Sequence, residues 1–590
     1  MMKRIYIIFL LSFSLFSCEK LDQAPRSTVG KDAIFVSENG LALYSNSFYN
    51  ILPTASDIVR GDAMSDYIAR KEVPDFIRPG AYGPRQSTGW NWDALRNINY
   101  FIQNNNKSSI PEETRNHYMG IARFFRAWFY FDKVKRFGDV PWINKPFDVN
   151  DTDLFNGRDP RKLVMDSVLQ DLDFAIKHIR TTNDGTRSMI TKPVAYAFKS
   201  RVCLFEGTFR KYHTSYNLSS TADEWLTQAA NAANAVMEDY SYSLHTSGSG
   251  AQAYRQLFVS KSPVTNEVLL ANVYDDNLAL YHDANWYWTS ATYGDRANFT
   301  RSFINTYLNL DGTPFTNNAQ YETMEFSEEV KNRDLRLSQT IRTKGYTRIN
   351  GGTVVASPPV FSYTYTGYQP IKWTLDDMFY DSGSRNDNIL PVIRYGEVLL
   401  NYAEAKAELG TLNDLDWSQT IGALRRRAGI VNGTSTMPTA VDPYLQREYF
   451  PEINNPALLE VRRERGIELA LEGFRFYDLV RWNKGKLLEK VWNGMYVPSL
   501  DTPLDLNEDG VLDVVFFKTM PGTPIPGVTY INVSENINGR PNPLVLSQGD
   551  RGEIIWLNTI PRTWNDRFYL YPIPEAERLI NPALGQNPGW

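Results

Sequence analysis

The stretch LEVRRERGIELALEGFRFYDLVRWNK, residues 459–484, constrains the fold of this chain more than any other. Ile467, Ala470, Leu471, Phe474 and Tyr477 recur at steps of three and four, which puts them on one face of a helix to be buried. Glu464, Glu468, Glu472 and Arg475 take the other faces. Gly473 interrupts the run, and Gly costs about 1 kcal/mol against Ala inside a helix, so the spacing predicts two short helices meeting at an angle. The Arg and Glu residues are spaced for intrahelical pairs, and a solvated charged face is expected, with buried pairs that fix the fold as the alternative.

Further helical patterns occupy residues 90–104, 111–137, 160–179, 192–206, 223–237, 394–409 and 417–427. Pro111 stands near the first turn of the second, and Gly138-Asp139-Val140-Pro141 ends it. Ala195, Ala197, Ala403 and Ala407 lie on the facing sides of their helices, where small residues allow close approach, as in tetratricopeptide-like hairpins. Arg123 and Arg126 sit among aromatics, an arrangement that favours stacking and internal pairing over an anion site. Between the helices lie long segments rich in Gly, Ser, Asn, Tyr and Trp: 52–89, 244–293, 343–384 and 497–559. Loops this long are functional or disordered, and their aromatic content argues for function. The expected fold class is therefore mainly α: tetratricopeptide-like helical hairpins, at about 90–240 and 390–485, forming one scaffold domain over 18–590 with long irregular loop insertions.

The N-terminus carries Lys3 and Arg4 before an apolar run over 5–16, too short for the roughly 20 residues of a membrane-spanning helix and right for an export signal over 1–17. Leu15-Phe16-Ser17-Cys18 resembles a lipobox, in which Cys18 would be acylated; an ordinary signal peptide is the alternative. Acyl chains contribute about 0.8 kcal/mol per buried methylene, so several tether a protein to a membrane without a spanning segment. Cys203, the other of the two cysteines, sits in an apolar helical run and reads as core, which leaves no disulfide. A net charge of -5 offers no basic footprint for nucleic acid.

Four stretches carry a family resemblance: LDQAP at 21–25, RFFRAWFYFDKVKRFGDVPW at 123–142, RRERGIELALEGFRFYDLVRW at 462–482, and the closing YLYPIPEAERLINPALGQNPGW at 569–590. Together they resemble the SusD/RagB family of outer-membrane nutrient-binding lipoproteins; residues 394–410 are similar as well, and Trp590 stands where the family usually has Tyr. The resemblance implies four tetratricopeptide-like units, a surface-facing anchor, and delivery of ligand to a SusC-like TonB-dependent transporter. The prolines at 572, 574, 582 and 588 forbid a continuous helix in the tail and favour an extended segment packed on the surface.

Catalytic chemistry finds little support. The five histidines, His117, His178, His213, His245 and His282, are scattered, with no H-E-x-x-H, nucleophile elbow or Walker A loop. Gly248 to Ala253 fits a dinucleotide fingerprint in letters only and reads as a flexible loop. Asp505, Asn507, Asp509, Gly510 and Asp513 match positions one, three, five, six and nine of an EF-hand-type loop, with Phe516 in place of the closing Glu. The segment is either a site for a structural calcium or a plain acidic turn; no other cofactor is required.

Sugar recognition needs flat apolar faces beside planar polar groups. Trp286, Tyr287 and Trp288, flanked by Tyr281, Asp283, Asn285 and Tyr293, supply both, and Trp90 and Trp92, with Arg85 and Gln86 just before them, form a second cluster. In an extended segment Trp286 and Trp288 would share a side, with Tyr287 opposite. The alternative is that these rings are core or partner-interface aromatics, Trp92 above all. The resulting expectation is a surface lipoprotein that binds oligosaccharide without turning it over; a peptide receptor of the RagB kind, a lipid-anchored glycan hydrolase and a purely structural lid are the alternatives.

Overall fold

The computed structural model describes residues 34–180, 184–246 and 252–590. Cys18, the segments 1–17 and 21–25, and residues 247–251 of the Gly/Ser stretch lie outside the described residues.

The helical scaffold is built from α1 (Asp93–Asn104), α2 (Glu112–Phe137), α3 (Arg161–His178), α4 (Lys192–Tyr212) and α5 (Ala222–Asp239). A six-residue helix, α6 (Ala284–Thr289), stands in the long loop region, and the scaffold resumes with α7 (Tyr395–Glu408), α8 (Ile421–Arg427), α9 (Pro456–Glu468) and α10 (Arg475–Arg481). Each helix packs on its neighbour in the order α1, α2, α3, α4, α5, and α7 closes onto α4, α5 and α9. This is the tetratricopeptide-like fold expected from the sequence.

Small residues set the spacing. Ala195, Ala197, Ala403 and Ala407 are all buried. A side-chain carbon at Gly207 of α4 would meet the backbone nitrogen of Leu226 in α5 at 3.0 Å, so only glycine admits this approach. Aromatics fill the remaining depth: Trp128 of α2 stacks on Phe198 of α4 with centroids 4.2 Å apart. Arg123 and Arg126 both bond Asp171 of α3 and lie over Phe174 and Trp142, the internal pairing their setting suggested. One buried core runs from Phe35 to Leu584, and Cys203 belongs to it.

The loop insertions carry more order than their composition indicates. β1 (Val268–Asn272) pairs antiparallel with β2 (Leu390–Arg394), which leads directly into α7. Within 497–559 and just before it, β3 (Trp492–Val497), β6 (Leu544–Leu546) and β7 (Gly552–Trp556) form an antiparallel sheet with β7 central. β4 (Val514–Phe517) and β5 (Thr529–Asn532) make a separate parallel pair. The tail contains a short helix, α11 (Glu575–Ile580), starting after Pro574 and ending before Pro582, so the prolines bound a helical turn and a half rather than forbidding helix throughout.

The organising stretch does break into two helices, with Leu471 and Gly473 at positive φ (66° and 82°) between them. The expected solvated face is absent. Every residue of α9 from Ala457 to Glu468 is buried. Glu468 accepts from Arg336, Arg394 and Arg427; Glu464 pairs with Arg336 and Arg425; Glu472 pairs with Arg394 and Lys372. On α10, Arg481 bonds Glu404 and Asp478, and on α9 Arg462 reaches Glu408. Apart from Asp478, three positions before Arg481, the partners come from α7, α8, β2 and the loops, too far along the chain for an i,i+4 reading to find them. Burial lowers Lys372 to about 8 although Glu472 bonds it.

Candidate functional site

Helix α6 decides which of the predicted aromatics reach the surface. Asn285 locks it in place: fully buried, its Nδ2 donates to the Leu375 carbonyl at 2.9 Å, and its Oδ1 accepts from the Leu375 nitrogen and from Asn386 Nδ2, both at 2.7 Å. With a helical pitch, residues 286 and 288 diverge by about 200° instead of sharing a side. The extended alternation expected from the sequence is therefore wrong. Tyr287 and Trp288 are 4% and 5% exposed and belong to the core. Tyr287 reaches Asp295 at 3.3 Å, and Trp288 leaves its buried indole nitrogen without a partner.

Trp286 alone of the triplet keeps partial exposure. It lies parallel to Tyr293, with ring centroids 3.6 Å apart and planes at 11°, and Tyr293 is 41% exposed. Asp283 organises the edge of this platform. It accepts the Tyr293 hydroxyl at 2.5 Å and pairs with Arg60, whose guanidinium lies 4.5 Å above the Tyr287 ring. Tyr281 is exposed and donates to Asp276 at 2.5 Å. The segment packed against α6 adds Phe379, exposed, with Tyr380 at 5.3 Å and Arg385 over its ring at 4.8 Å. Arg60 and Phe379 were not among the residues singled out from the sequence, because each lies tens to hundreds of positions from the Trp motif.

The second cluster divides. Trp90 and Trp92 meet edge to face at 5.3 Å, and Trp90 packs on Phe137; both line a cavity of about 460 Å³. Phe155, Leu154 and Ile580 form its exposed apolar rim, and Arg96, Lys145, Asp153 and Asn581 supply polar groups. Arg85 stands apart from this wall, exposed and bonded through Nε to Glu575 at 2.8 Å. Trp90 is itself 9% exposed, and it and Trp286 belong to separate clusters.

Asp505, Asn507, Asp509 and Asp513 come together in one turn between Leu504 and Val514, which pair across its base. Burial raises the Asp513 carboxyl to about 6, and the charges of Asp505 and Asp509 add to the rise. Among the described residues no helix is long and apolar enough to cross a membrane.

Fold and surface together define a helical-repeat scaffold that presents aromatic platforms on long insertions. The chain belongs to the SusD family, whose sequence model matches residues 266–590; a second model, described as "Starch-binding associating with outer membrane", matches residues 88–204. A SusD-like protein of Formosa agariphila is 24% identical over 543 residues, covering 85% of this chain and 96% of that protein. A SusD-like protein of Bacteroides ovatus is 22% identical, covering 98% and 96%. Two SusD-like proteins of Bacteroides fragilis share the fold: one has a TM-score of 0.68 at 21% identity, covering 96% of this chain and all of that one. The other, described as a SusD-like carbohydrate binding protein, has a TM-score of 0.67 at 21% identity, covering 94% and 100%. The family resemblance is borne out, and three of the four stretches that carry it lie within the matched residues.

Proposed function

We propose that this protein is an outer-membrane surface lipoprotein, anchored through acylated Cys18, that captures oligosaccharide and delivers it to a SusC-like TonB-dependent transporter. The observation that carries the reading is the Trp286–Tyr293 pair, a rigid aromatic plane edged by the Asp283–Arg60 ion pair. Such a plane offers its face to the C–H surface of a pyranose, and the charged edge offers donors and acceptors to hydroxyls. Support at the family level comes from the matching model described as starch-binding and from the carbohydrate-binding relative of Bacteroides fragilis. The Trp90 cavity is a second candidate subsite, with Arg85 outside it.

The mechanism is capture and release. Micromolar binding corresponds to about 8 kcal/mol, and weaker binding at each site suits hand-off to a partner. The test is affinity electrophoresis in polyacrylamide containing a panel of polysaccharides. Trp286→Ala is expected to lose the retention shown by the wild type while its urea midpoint falls only slightly, by the loss of the stacked ring pair; unchanged retention removes the platform as the site. Phe155→Ala tests the Trp90 cavity in the same gels. Retention by peptides in place of glycans would instead assign a RagB-like peptide receptor, and new reducing ends after incubation would assign a hydrolase. Co-purification with a plugged outer-membrane barrel, lost when Cys18 is replaced by Ala, tests the partner and the anchor.

A further inference from the structure

The turn over residues 505–513 is closed at its base: Leu504 donates to the Val514 carbonyl at 2.9 Å and Asp513 donates back to the Leu504 carbonyl at 2.8 Å. Inside it, Asp505 accepts from the backbone nitrogens of Asp509 and Gly510 at 3.3 and 2.8 Å, and Asp509 accepts from that of Val511 at 2.8 Å. Gly510 takes a φ of +84°, a conformation that glycine adopts without strain. None of Asp505, Asp509 and Asp513 forms an ion pair among the described residues; the nearby Lys331 and Lys344 both bond Glu508 instead, at 2.6 and 2.8 Å.

These features alone describe an acidic turn. The independent observation is Asn507. The residue is 4% exposed, and its Oδ1 is buried with no hydrogen-bond partner among the described residues. Its Nδ2 donates to Asp509 Oδ2 at 3.0 Å, which holds the amide inside the turn and fixes which atom is the oxygen, since the flipped amide would set oxygen against carboxylate. A buried carbonyl oxygen left unsatisfied costs about 1–3 kcal/mol, and it sits beside carboxylates that form no ion pair among the described residues. Among the described residues no three His, Cys, Asp or Glu side chains are placed to hold a metal by themselves, so an ion here needs the neutral oxygens.

We propose that this turn binds calcium, with the side-chain oxygens of Asp505, Asn507 and Asp509 and the carbonyl of Val511 as ligands and Asp513 acting through water. A set made only of oxygens, part charged and part neutral and lying on an irregular turn, matches the high, flexible coordination of calcium better than the strict octahedron of magnesium. The position of the closing bidentate Glu is held by Phe516, fully buried in β4, so affinity falls in the range of extracellular modules, about 10⁻⁴–10⁻³ M. The ion would brace the start of the β4–β5 pair, and through Glu508 the segment carrying Lys331 and Lys344.

The experiment uses the full mature chain, stripped with chelator and dialysed. Calorimetric titration with calcium chloride is expected to show a single site, and the melting temperature is expected to rise with calcium and return with chelator. Asp509→Asn is expected to weaken binding at least tenfold. Asn507→Asp separates a ligand from a mere turn residue: a ligand carboxylate tightens calcium binding several-fold while lowering stability in chelator. A turn with no ion would show the loss of stability and no recovery. Absence of heat and of any melting shift up to millimolar calcium overturns the proposal, as does an equal shift with magnesium or with sodium at matched ionic strength.

Discussion

Glu468→Gln is the sharpest test of the buried charge network. Glu468 is fully buried, with Arg394 at 2.6 Å, Arg336 at 2.8 Å and Arg427 closer still. Removing one partner of a buried ion pair costs about 3–5 kcal/mol because the other charge is left uncompensated. Here no cation is orphaned: Arg336 keeps Asp334 and Glu464, Arg394 keeps Glu267 and Glu472, and Arg427 keeps Glu267. The cost therefore belongs at the lower end, about 3 kcal/mol at neutral pH. The sign with pH follows from the same contacts. Burial opposes ionisation of Glu468, but the Arg427, Arg394 and Arg336 charges override it and hold the carboxyl well below its usual range. A depressed folded pKa gives stability that is present above the unfolded value of about 4.3 and is lost as pH falls below it. Urea unfolding, followed by tryptophan fluorescence and by pulse proteolysis, is expected to show a lower midpoint for the variant at pH 7 and a shrinking gap below about pH 4. A variant within about 0.5 kcal/mol of wild type at pH 7 would refute the reasoning, because that is the effect of an ordinary surface change.

Three further outcomes follow from named contacts. Trp288→Ala should cost about 3–5 kcal/mol as a core truncation, whereas Trp286→Ala should lose only the stacked pair, about 0.5–1.5 kcal/mol; equal urea midpoints for the two would contradict their different burial. Gly473→Ala forces a side chain into φ +82° and should destabilise by about 1–2 kcal/mol in the same assay, with no loss expected if the break between α9 and α10 were merely a flexible joint. Asp62 behaves oppositely to Glu468: burial raises it to about 6 despite bonds from Tyr67, Arg475 and Gly473. Its contribution is greatest below the unfolded value near 4 and falls as pH rises through about 6, so the stability of wild type relative to Asp62→Asn should decline over that interval. A flat difference would remove the shift.

The scaffold was legible because its information is local. Helix periods, the glycine that ends α2 and the alanines at helix contacts all act within one or two turns of the chain. The failures share the opposite property. The charges of α9 looked solvated because their partners, Arg336, Arg394 and Arg427, lie dozens of residues away. The Trp286–Trp288 triplet looked extended because six residues are too few to separate a helical from an extended pattern, and the deciding bonds run from Asn285 to Leu375 and Asn386. Arg60 carried no signal at all; only folding brings it to Asp283.

These long-range bonds join the organising stretch to the aromatic platform. Asp62 accepts the backbone nitrogens of Gly473 and Arg475 at 3.0 and 2.9 Å, and Arg475 clamps Asp66 at 2.7 and 2.8 Å. Gly61 rests directly on Gly473, where a side chain on Gly61 would meet the Gly473 Cα at 2.6 Å. The turn between α9 and α10 thus fixes residues 61–66 by backbone bonds, a buried ion pair and a glycine contact. Arg60, one residue before that clamp, is the cation that holds Asp283 and through it Tyr293. For the oligosaccharide binding proposed above, such bracing spares the entropy of ordering the platform's side chains, about 0.5–1.5 kcal/mol for each. The positive φ at Gly473 therefore bears on the aromatic platform as much as on the fold: the bend turns the backbone nitrogens of residues 473 and 475 toward one carboxylate, and that carboxylate sets the segment from which the platform is braced.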